Sequence, residues 1–301
     1  MSLEVEHLSK KFGDRVAVED LSFTIKEPGV FAFLGTNGAG KSTSIRMILG
    51  MLARDSGTVM WNGKPLNIME EQVGYLAEER GLYPKYNILE QMQYFASIKG
   101  MKKKEANLAI DYIFSRLKIE EYKKMKADQL SKGNQQKVQL AAALLCNPKL
   151  IILDEPLSGL DPVNADIFKS VIREERDSGK YIIMSSHQME TIEEFCEDLV
   201  LLHHGRVVMD GNLNDIKRQR GREHLTVKAD RPVTELAEKC GLSLIEETPN
   251  GSSFRVAKEE DARKLLREMV DEGINIIKFD WREPSLHELF VEKCGGEENE
   301  A

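Results

Sequence analysis

The sequence predicts an α/β protein with a parallel sheet, followed by a smaller α+β domain, and three patterns support this fold class. An apolar run over residues 30–34 leads into a glycine-rich loop and then into a helical repeat of apolar residues. A second apolar run, residues 150–153, stops at two carboxylates, as a buried parallel strand does at a ligand site. Beyond residue 224 the predicted order is β-α-β-β-α-β, which is that of a ferredoxin-like domain, with a Pro-Asn-Gly turn at 249–251 between its middle strands.

Composition and charge narrow the class of protein. Of the 301 residues, 41% are hydrophobic and 31% are charged, as in a folded chain long enough for one large domain and one smaller domain. The net charge of −8 argues against nucleic-acid binding through a general positive field. We expect neither a signal peptide nor a membrane-spanning run, so any role at a membrane would depend on a partner. Four widely separated cysteines form no metal-binding pair and are expected to be reduced thiols of a cytosolic protein: Cys146, Cys196, Cys240 and Cys294.

Residues 35–42 match the pattern G-x-x-x-x-G-K-[ST] of a phosphate-binding loop. Glycines allow main-chain N–H groups to surround a phosphate without a Cβ in the way, and the helix that follows directs its free N–H groups at the anion. Lys41 is placed to reach the β- and γ-phosphates, and Ser42 to offer its hydroxyl to Mg²⁺. We therefore expect a nucleoside triphosphate to bind at Gly35, Thr36, Asn37, Gly38, Ala39, Gly40, Lys41, Ser42 and Thr43.

Asp154 and Glu155 follow the apolar run 150–153 and should face the phosphate-binding loop across the carboxyl ends of the strands. Asp154 is the expected partner of Mg²⁺, directly or through water. Glu155 lies one residue further, points elsewhere and is suited to polarise a water molecule in line with the γ-phosphate. The alternative is a helix N-terminus that carries two acids for its dipole, but the Lys41 loop in the same chain favours the catalytic interpretation.

Residues 130–137, Leu-Ser-Lys-Gly-Asn-Gln-Gln-Lys, are predicted to open a helix that runs to about Cys146 and stops at an Asn-Pro pair. As a local feature, Ser131 is a good N-cap. The segment also resembles the LSGGQ signature of ATP-binding-cassette ATPases, the ABC ATPases. It lies at the spacing from Asp154 that is usual in that family.

Three further segments strengthen the resemblance to ABC ATPases. Residues 158–161, Ser-Gly-Leu-Asp, resemble the D-loop, and Ser186 with His187, after a predicted strand, resembles the H-loop. Phe12 stands where the family has an aromatic ring that stacks on adenine. The resemblance covers about residues 3–215 and implies a P-loop NTPase domain with a RecA-like core and a helical subdomain.

The family mechanism joins two such domains head to tail, so that each ATP lies between the phosphate-binding loop of one copy and the signature helix of the other. A helix N-terminus without a lysine loop of its own suits this donated anion site. By resemblance, six residues serve the nucleotide of the same copy. The catalytic residues are Glu155, His187 and Lys41. The residues that hold the metal are Ser42, Glu78 and Asp154. The opposite nucleotide is served mainly by Ser131, Gly133 and Asp161, and Asn134 of the same motif is also expected to contact nucleotide.

Two segments depart from the family pattern. The Q-loop position holds Glu78, whose charge should bind Mg²⁺ more tightly than a glutamine and repel phosphate once the metal leaves. The signature has Lys132 and Asn134 where glycine and glutamine are commoner. Lys132 either contributes a cation to phosphates across the interface or points to solvent.

Three of the expected site residues also have simple structural interpretations. Asp161 before Pro162 is a good N-cap, a role compatible with the D-loop function. His187 is suited to cap the next helix, although the family places it at the γ-phosphate, where it aligns the attacking water. Phe12 is alternatively a core residue. For His187 and Phe12 we expect the functional role.

Residues 78–84, together with the Lys-Gly pair of the signature, resemble the ATPases of ABC-2 type exporters, which include sodium and drug efflux systems. This implies an ATP-hydrolysing subunit that uses ATP and Mg²⁺, pairs with a second nucleotide-binding subunit as a homodimer, and works with a multi-span permease. We expect no nucleic-acid partner and a cytoplasmic location, at the inner face of the cell membrane through the permease. The alternatives are a soluble ABC ATPase that acts on a macromolecule without a permease, and a regulatory module that binds ATP without turnover, against which Glu155 and His187 argue.

The expected domain order is an ATPase domain over residues 1–216, with its helical subdomain at about 85–145, and an accessory α+β domain over 224–293. Residues 215–224 are expected to form a helix end and a polar linker between them. Residues 294–301 are expected to be a disordered acidic tail.

Overall fold

The computed structural model describes residues 1–79, 81–249 and 251–294. The chain forms two compact units, of which the first is Met1–Gly211 and the second begins at Asn212. Within the described ranges, no helix combines the length and the apolar character needed to cross a lipid bilayer.

The first unit contains two sheets and a group of helices. Its strands are β1 (Leu3–Phe12), β2 (Arg15–Ile25), β3 (Gly29–Gly35), β4 (Ser56–Trp61), β5 (Lys64–Pro65), β6 (Gly74–Leu76), β7 (Leu150–Leu153), β8 (Tyr181–Ser186), β9 (Asp198–His203) and β10 (Arg206–Asn212). Its helices are α1 (Lys41–Ile48), α2 (Ile88–Ile98), α3 (Lys103–Leu117), α4 (Lys132–Leu144), α5 (Pro162–Asp177) and α6 (Met189–Glu193). Two short 3₁₀ turns, Glu120–Lys124 and Ala127–Gln129, precede α4.

The larger sheet places the ends of its parallel strands side by side. Its strand order is β10-β9-β3-β8-β7-β6, and the neighbouring pairs from β9 to β6 are parallel. Both β7 and β8 are buried along their whole length, which explains why their sequences are almost continuously apolar rather than alternating. The carboxyl ends of β3, β8, β7 and β6 therefore share one edge, and the loops that follow these strands meet there.

The smaller sheet is antiparallel, with the order β2-β1-β4-β5. Its apolar side shares one core with the larger sheet, which includes Trp61, Phe33, Ile152 and Val200. Trp61 packs edge-to-face on Tyr181, with 5.2 Å between the ring centroids. Burial of each large apolar side chain stabilises the fold by roughly 1.5–3 kcal/mol, so this core fixes β3, which leads into the phosphate-binding loop.

Helices α2, α3 and α4 form the helical part of the first unit. Along α3 the side chains of Ile110, Ile113, Phe114 and Leu117 are buried, at the spacing of an amphipathic helix. Helix α4 packs against α3 and against β6, so the helical part reaches the edge of the larger sheet.

The second unit is an α+β domain. Its elements are α7 (Leu213–Arg220), β11 (His224–Ala229), α8 (Thr234–Lys239), β12 (Ser243–Thr248), β13 (Gly251–Arg255), α9 (Glu259–Asp271), β14 (Ile276–Arg282) and α10 (Leu286–Cys294). The strands form an antiparallel sheet of order β12-β13-β11-β14, and α8 and α9 pack on it around a core that includes Leu225, Phe254 and Leu265. This order confirms the expected ferredoxin-like fold from β11 to β14.

The segment 215–224, expected to contain a helix end and a polar linker, begins with the last residues of helix α7 and continues as a short connection before β11. Asn212 caps this helix by accepting hydrogen bonds from the main-chain N–H groups of Asn214 and Asp215. The basic side chains lie in the last turn, where they complement the helix dipole. A strongly charged segment thus forms a capped helix, and the second unit begins slightly before residue 216.

Two expectations fall partly outside the described residues. The turn at 249–251 includes Asn250, which lies outside them, although Thr248 and Gly251 pair across β12 and β13. The expected tail, 294–301, begins at the last residue of α10, and the rest of it also lies outside the described ranges.

Candidate functional site

The phosphate-binding loop joins the end of β3 to the start of α1, and its glycines occupy positions that exclude a side chain. Gly40, the residue before α1, has a φ of 106°, and a Cβ there would lie 2.5 Å from the carbonyl oxygen of Ala17. A Cβ on Gly35 would lie 2.3 Å from the carbonyl oxygen of Leu202. Close packing and a left-handed backbone therefore both require glycine, and the free N–H groups at the start of α1 adjoin the loop.

Lys41, the first residue of α1, is buried with its ammonium group over the loop. Its Nζ donates hydrogen bonds to the carbonyl oxygens of Gly35 at 2.8 Å and Thr36 at 3.2 Å. It also lies 3.2 Å from Oε1 of Glu155, as a buried ion pair. The side chain thus places a positive charge between the loop and the end of β7, where the low local dielectric strengthens its interactions.

Asp154 is fully buried at the end of β7 and is held from two sides. Its Oδ1 accepts hydrogen bonds from Ser42 Oγ at 3.2 Å and from Ser185 Oγ at 2.6 Å. Its Oδ2 is buried without a hydrogen-bond partner among the described residues. Burial raises the pKa of this carboxyl, while the two serine hydroxyls oppose the rise.

This arrangement fits a divalent cation. An orphaned carboxylate oxygen beside a serine hydroxyl offers oxygen ligands to Mg²⁺, which in nucleotide sites takes its other ligands from phosphates and water. Across the described part of the chain, no group of three or more His, Cys, Asp or Glu side chains forms a metal cage. The protein therefore offers a partial set, Ser42 and Asp154, that suits a metal shared with a nucleotide.

Glu155 is buried beside Asp154, and its main chain adopts an unusual conformation. Its φ is 48°, in the left-handed region that residues other than glycine seldom occupy. Its N–H donates a hydrogen bond to Ser185 Oγ at 2.9 Å, and its Oε2 lies 2.9 Å from Nδ1 of His187. The His187 side chain is 37% exposed and that of Glu155 only 6%, so the imidazole lies at the mouth of the site and the carboxylate inside it.

A cavity of about 530 Å³ opens over the phosphate-binding loop. Phe12, at the end of β1, is 50% exposed and forms part of its wall, so the ring is not a core residue. The described residues that line the cavity are Phe12, Arg15, Ala17, Asn37, Gly38, Gly40, Lys41, Ser42, Thr43, Arg46, Glu78 and Glu155.

Three residues that the motifs did not indicate, Arg15, Arg46 and Ser185, lie at this site. Arg15 pairs with Phe12 across the turn between β1 and β2, and its guanidinium lies 3.7 Å from the position that a Cβ on Gly38 would take. Arg46 lies on α1, about one helical turn past the loop, and Ser185 is the first of two serines that end the buried strand β8. Two sequence signals could have indicated Ser185 and Arg46. One is a polar residue in a buried strand, and the other is a cation about one helical turn past a phosphate-binding loop.

Glu78 lies on the loop after β6, exposed at the rim of the cavity. On β6, Tyr75 lies close enough to Arg46 for the guanidinium charge to act on its hydroxyl. Burial raises the pKa of this hydroxyl, and the negative charges of Asp154 and Glu78 act in the same direction, against the charge of Arg46. Arg46 therefore brings a positive charge close to the carboxylates around the expected metal position.

The signature segment stands apart from the residues that line the cavity. Ser131 is exposed at the start of α4, and its Oγ accepts a hydrogen bond from the N–H of Asn134 at 3.3 Å. Gly133 is buried against α5, and a Cβ at this position would lie 3.0 Å from Nδ2 of Asn164. The side chain of Asn134 donates a hydrogen bond to Tyr122 Oη at 2.9 Å. The start of α4 is thus capped by Ser131, which is exposed, and it packs on α5 through the buried Gly133.

Asp161 and His187 were both candidates to cap a helix, and only Asp161 does so. Asp161 caps α5 by accepting a hydrogen bond from the N–H of Asn164 at 3.0 Å, and this bond, with a second from the Asn164 amide, lowers the pKa of the carboxyl. Asp161 is also exposed, so the cap leaves it accessible to a second molecule. His187 does not cap α6, which begins at Met189 with Gln188 as its N-cap, so the capping alternative for His187 is wrong.

Several known proteins resemble this chain. Residues 18–158 match a family model described as ABC transporter, and residues 211–294 match one described as the C-terminal domain of DrrA1-3-like ATP-binding proteins. An uncharacterized ABC transporter ATP-binding protein of Bacillus subtilis, YhaQ, is 42% identical over 294 residues, which are 97% of this chain and 98% of that protein. A Nod factor export ATP-binding protein of Sinorhizobium fredii is 29% identical over 302 residues, which are 99% of this chain and 87% of that protein.

A solved structure of an ATP-binding subunit of an ABC transporter has a similar fold. It superposes with a TM-score of 0.67 and 32% sequence identity, over 73% of this chain and 94% of the other. ABC domains of this kind bind and hydrolyse ATP, and the loop, the buried cation and the two carboxylates described above have the geometry that this reaction needs. The chain belongs to the ATP-binding proteins of ABC transporters.

Proposed function

We propose that this chain is the ATP-hydrolysing subunit of an ABC-2 type exporter, in which ATP-driven closure and reopening of a dimer power a multi-span permease. The observation that supports the dimer most directly is the division of the site residues into two sets. Within the described residues, the cavity lining includes Lys41, Ser42 and Glu155 but not Ser131 at the exposed start of α4. A second copy, placed head to tail, would bring its own α4 to this cavity.

In the proposed reaction, each copy binds one ATP on its own phosphate-binding loop. The adenine ring stacks on Phe12, and Lys41 turns its charge from Glu155 to the β- and γ-phosphates. Glu155 then polarises the attacking water as general base, while His187 orients the base and contacts the γ-phosphate. Ser42, Asp154 and Glu78 would hold Mg²⁺, which supplies neutralisation of the phosphate charge.

The opposite copy completes the site with the start of α4. The main-chain N–H groups around Gly133, with the hydroxyl of Ser131, form an anion site beside the exposed Lys132. Asp161 lies at the start of α5, next to this segment, because Gly133 packs against Asn164 one turn into that helix. Cleavage of the γ-phosphate removes the charge that both copies bind, and the dimer reopens.

Glu78 distinguishes this site from one with glutamine at the same position. We propose that its carboxylate binds Mg²⁺ more tightly and that it repels phosphate after the metal leaves. Arg46, which lines the same cavity, reduces the cost of gathering Glu78 and Asp154 at one place.

An exposed aromatic surface supports contact with a permease. Close after the Glu78 loop, Tyr83, Tyr86, Tyr94 and Ile98 each expose between 50% and 61% of their surface. The ring centroids of Tyr83 and Tyr86 lie 6.0 Å apart, and Tyr94 lines the same cavity, so the three tyrosines form a cluster. Exposed apolar clusters of this kind mark interaction surfaces, and in this proposal the permease covers it. The subunit then works on the cytoplasmic side of the membrane, and the export relative favours outward transport.

The dimer and the general base are tested together by Glu155→Gln. This change keeps the shape of the side chain and removes the base, so ATP should bind and the closed dimer should accumulate. In size-exclusion chromatography with light scattering, the variant should elute as a dimer with ATP and Mg²⁺ and as a monomer with ADP. A monomer under both conditions would contradict the dimer mechanism or the assignment of the base.

The permease is tested with the same variant, which holds the ATP-bound state. A tagged Glu155→Gln chain is expressed in its native cells, and complexes are recovered from detergent-solubilised membranes with ATP. A multi-span membrane protein in a fixed ratio to the chain is the expected result. Recovery with ribosomes or DNA instead would favour a soluble ABC ATPase that acts on a macromolecule.

A further inference from the structure

We propose that Gln136, on α4, is a positioning residue for Glu155 and ties the general base to the helix whose start serves the opposite nucleotide. Nε2 of Gln136 donates a hydrogen bond to the carbonyl oxygen of Pro156 at 2.7 Å and lies 3.5 Å from that of Glu155. This inference rests on the proposed role of Glu155 as general base.

The main chain at Glu155 needs external support. A left-handed φ of 48° is unfavourable for a glutamate and persists only where the surroundings fix it. On the N-terminal side, the N–H of Glu155 is bonded to Ser185 Oγ at 2.9 Å. On the C-terminal side, the carbonyl of Glu155 accepts from the N–H of Ser158 at 3.2 Å, and Gln136 binds the next carbonyl. Gln136 is thus the contribution of α4 to holding this strained turn.

The position of the Glu155 carboxylate depends on this turn. Its Oε1 lies 3.2 Å from Lys41 Nζ, and its Oε2 lies 2.9 Å from His187 Nδ1. A rotation of the main chain would move the carboxylate away from both groups. Reactions that need an aligned water molecule lose rate steeply when the base shifts by about 1 Å. Gln136 does not line the nucleotide cavity within the described residues, so it acts on the reaction through Glu155.

Gln136 also gives the base a mechanical connection to the other site. It lies on the same helix as the start of α4, in the second turn after Ser131. A helix moves as a rigid element, so binding of the opposite nucleotide to this start shifts the support of Glu155 in the same copy. The base of one site is therefore linked through one defined element to the helix that serves the other.

The chain supplies a matched control in Gln135, the adjacent residue of α4. Its amide donates to the carbonyl oxygens of Ala127 and Leu130, at 2.9 and 3.0 Å, within the helical part of the unit. Gln135 and Gln136 therefore share residue type and helix but support different segments.

The test compares Gln136→Met with Gln135→Met in the full-length protein. Methionine has nearly the same length and no donor, so Gln136→Met should lower kcat roughly tenfold while KM for ATP stays within about twofold. Gln135→Met should lower kcat less than Gln136→Met does, because it leaves the main chain around Glu155 supported. Gln136→Asn, whose amide is too short to reach Pro156, should match the methionine variant, and Gln136→Lys, which restores a donor, should recover part of the rate.

Non-additivity separates positioning from a general structural effect. Added to Glu155→Gln, the Gln136→Met change should cause no further loss in single-turnover rate, because the base through which it acts is already absent. A wild-type kcat in both Gln136→Met and Gln136→Asn, or an equal further loss in the Glu155→Gln background, would overturn the inference. Full activity of Glu155→Gln alone would instead contradict the base assignment, and with it the proposed function.

Discussion

Two regions of the site are built in opposite ways. The first, the carboxylate cluster, consists of Asp154 and Glu155 with Lys41 and Ser185. The second, the signature tip, is the segment from Ser131 to Asn134. In the cluster, charged groups are buried and bonded to one another inside a single chain. At the signature tip, Ser131 is exposed and the helix is held from below by the packing of Gly133.

The difference follows from the cost of burying charge. A buried carboxylate without partners is strongly destabilising, so the cluster must be completed within the chain that carries it. A helix start exposed to water, with its cation Lys132 also exposed, has no such cost, and it can remain unfilled until a second copy brings an anion to it. One half of the proposed site is therefore preformed, and the other is a surface.

The largest effect is expected from a charge placed on the signature tip. Aspartate is as good an N-cap as serine, so Ser131→Asp should keep α4 folded while it repels the γ-phosphate of the opposite copy. Turnover should fall by roughly 100-fold or more, with ATP affinity of the monomer unchanged. Steady-state ATPase rates and fluorescence titration with an ATP analogue measure the two quantities.

The matched control for that charge is Ser131→Asn, a neutral N-cap of similar size. Its turnover should stay much closer to that of the wild type. Equal losses in the aspartate and asparagine variants would mean that the tip does not face phosphate.

A smaller effect is expected from the loop side of the comparison. Gly40→Ala forces a Cβ to within 2.5 Å of a main-chain oxygen at a left-handed φ, which costs about 1–3 kcal/mol and should weaken ATP binding roughly tenfold or more. Gly50→Ala is the control, since Gly50 also has a positive φ but nothing within 4 Å of the added Cβ. Its ATP affinity should match the wild type, and comparable losses in both variants would point to general strain instead.

Ser185→Ala should weaken the cluster from within. It removes the donor to Asp154 Oδ1 and the acceptor of the Glu155 N–H, which should cost about 1–3 kcal/mol in the free energy of unfolding. The pKa of Asp154, already raised by burial, should rise further without this donor, so half-maximal activity should need more Mg²⁺.

The neighbouring Ser186→Ala serves as its control. Ser186 Oγ accepts a bond from the N–H of Gln188, outside the cluster, so only stability should change. If both variants shift the Mg²⁺ requirement equally, the bond between Ser185 and Asp154 does not set it.

The smallest expected effect is a change of stability with pH, because the carboxyl pKa is shifted in opposite directions in the two regions. Burial raises the pKa of Asp154, whereas the hydrogen bonds from Asn164 lower that of Asp161 beside the signature tip. A lowered carboxyl pKa stabilises the folded chain above the ordinary value of about 3.9, and this contribution is lost as the pH falls through the folded-state pKa. The Tm difference between wild type and Asp161→Asn should therefore shrink below about pH 4; a difference constant from pH 3 to 7 would exclude this effect.

The sequence predicts those parts of the site that are local. The loop at 35–42 and the carboxylates after 150–153 are each contiguous, and the rule for parallel strand ends brings them together without knowledge of the full strand order. The second unit is similarly predictable, because its order of elements corresponds to one common fold.

The missed residues depend on neighbours that are distant in sequence. Ser185 belongs to the site because β8 lies between β3 and β7, and Gln136 reaches Pro156 because α4 packs beside that edge. Arg15 reaches the loop only through the turn between two antiparallel strands. The start of the helix that ends within 215–224 could not be predicted from its charged composition, because it depends on the cap that Asn212 provides.

Mixing two inactive variants tests most directly whether the two regions meet in different copies. Lys41→Met removes the cation of the phosphate-binding loop, and Ser131→Asp blocks the signature tip, so neither variant alone should turn over ATP. A mixed dimer contains one site in which Lys41 and Ser131 are both intact, and an equal mixture should recover up to about a quarter of the wild-type rate, since half of the dimers are mixed and each has one of two sites. No recovery at any mixing ratio would contradict a site shared between two chains.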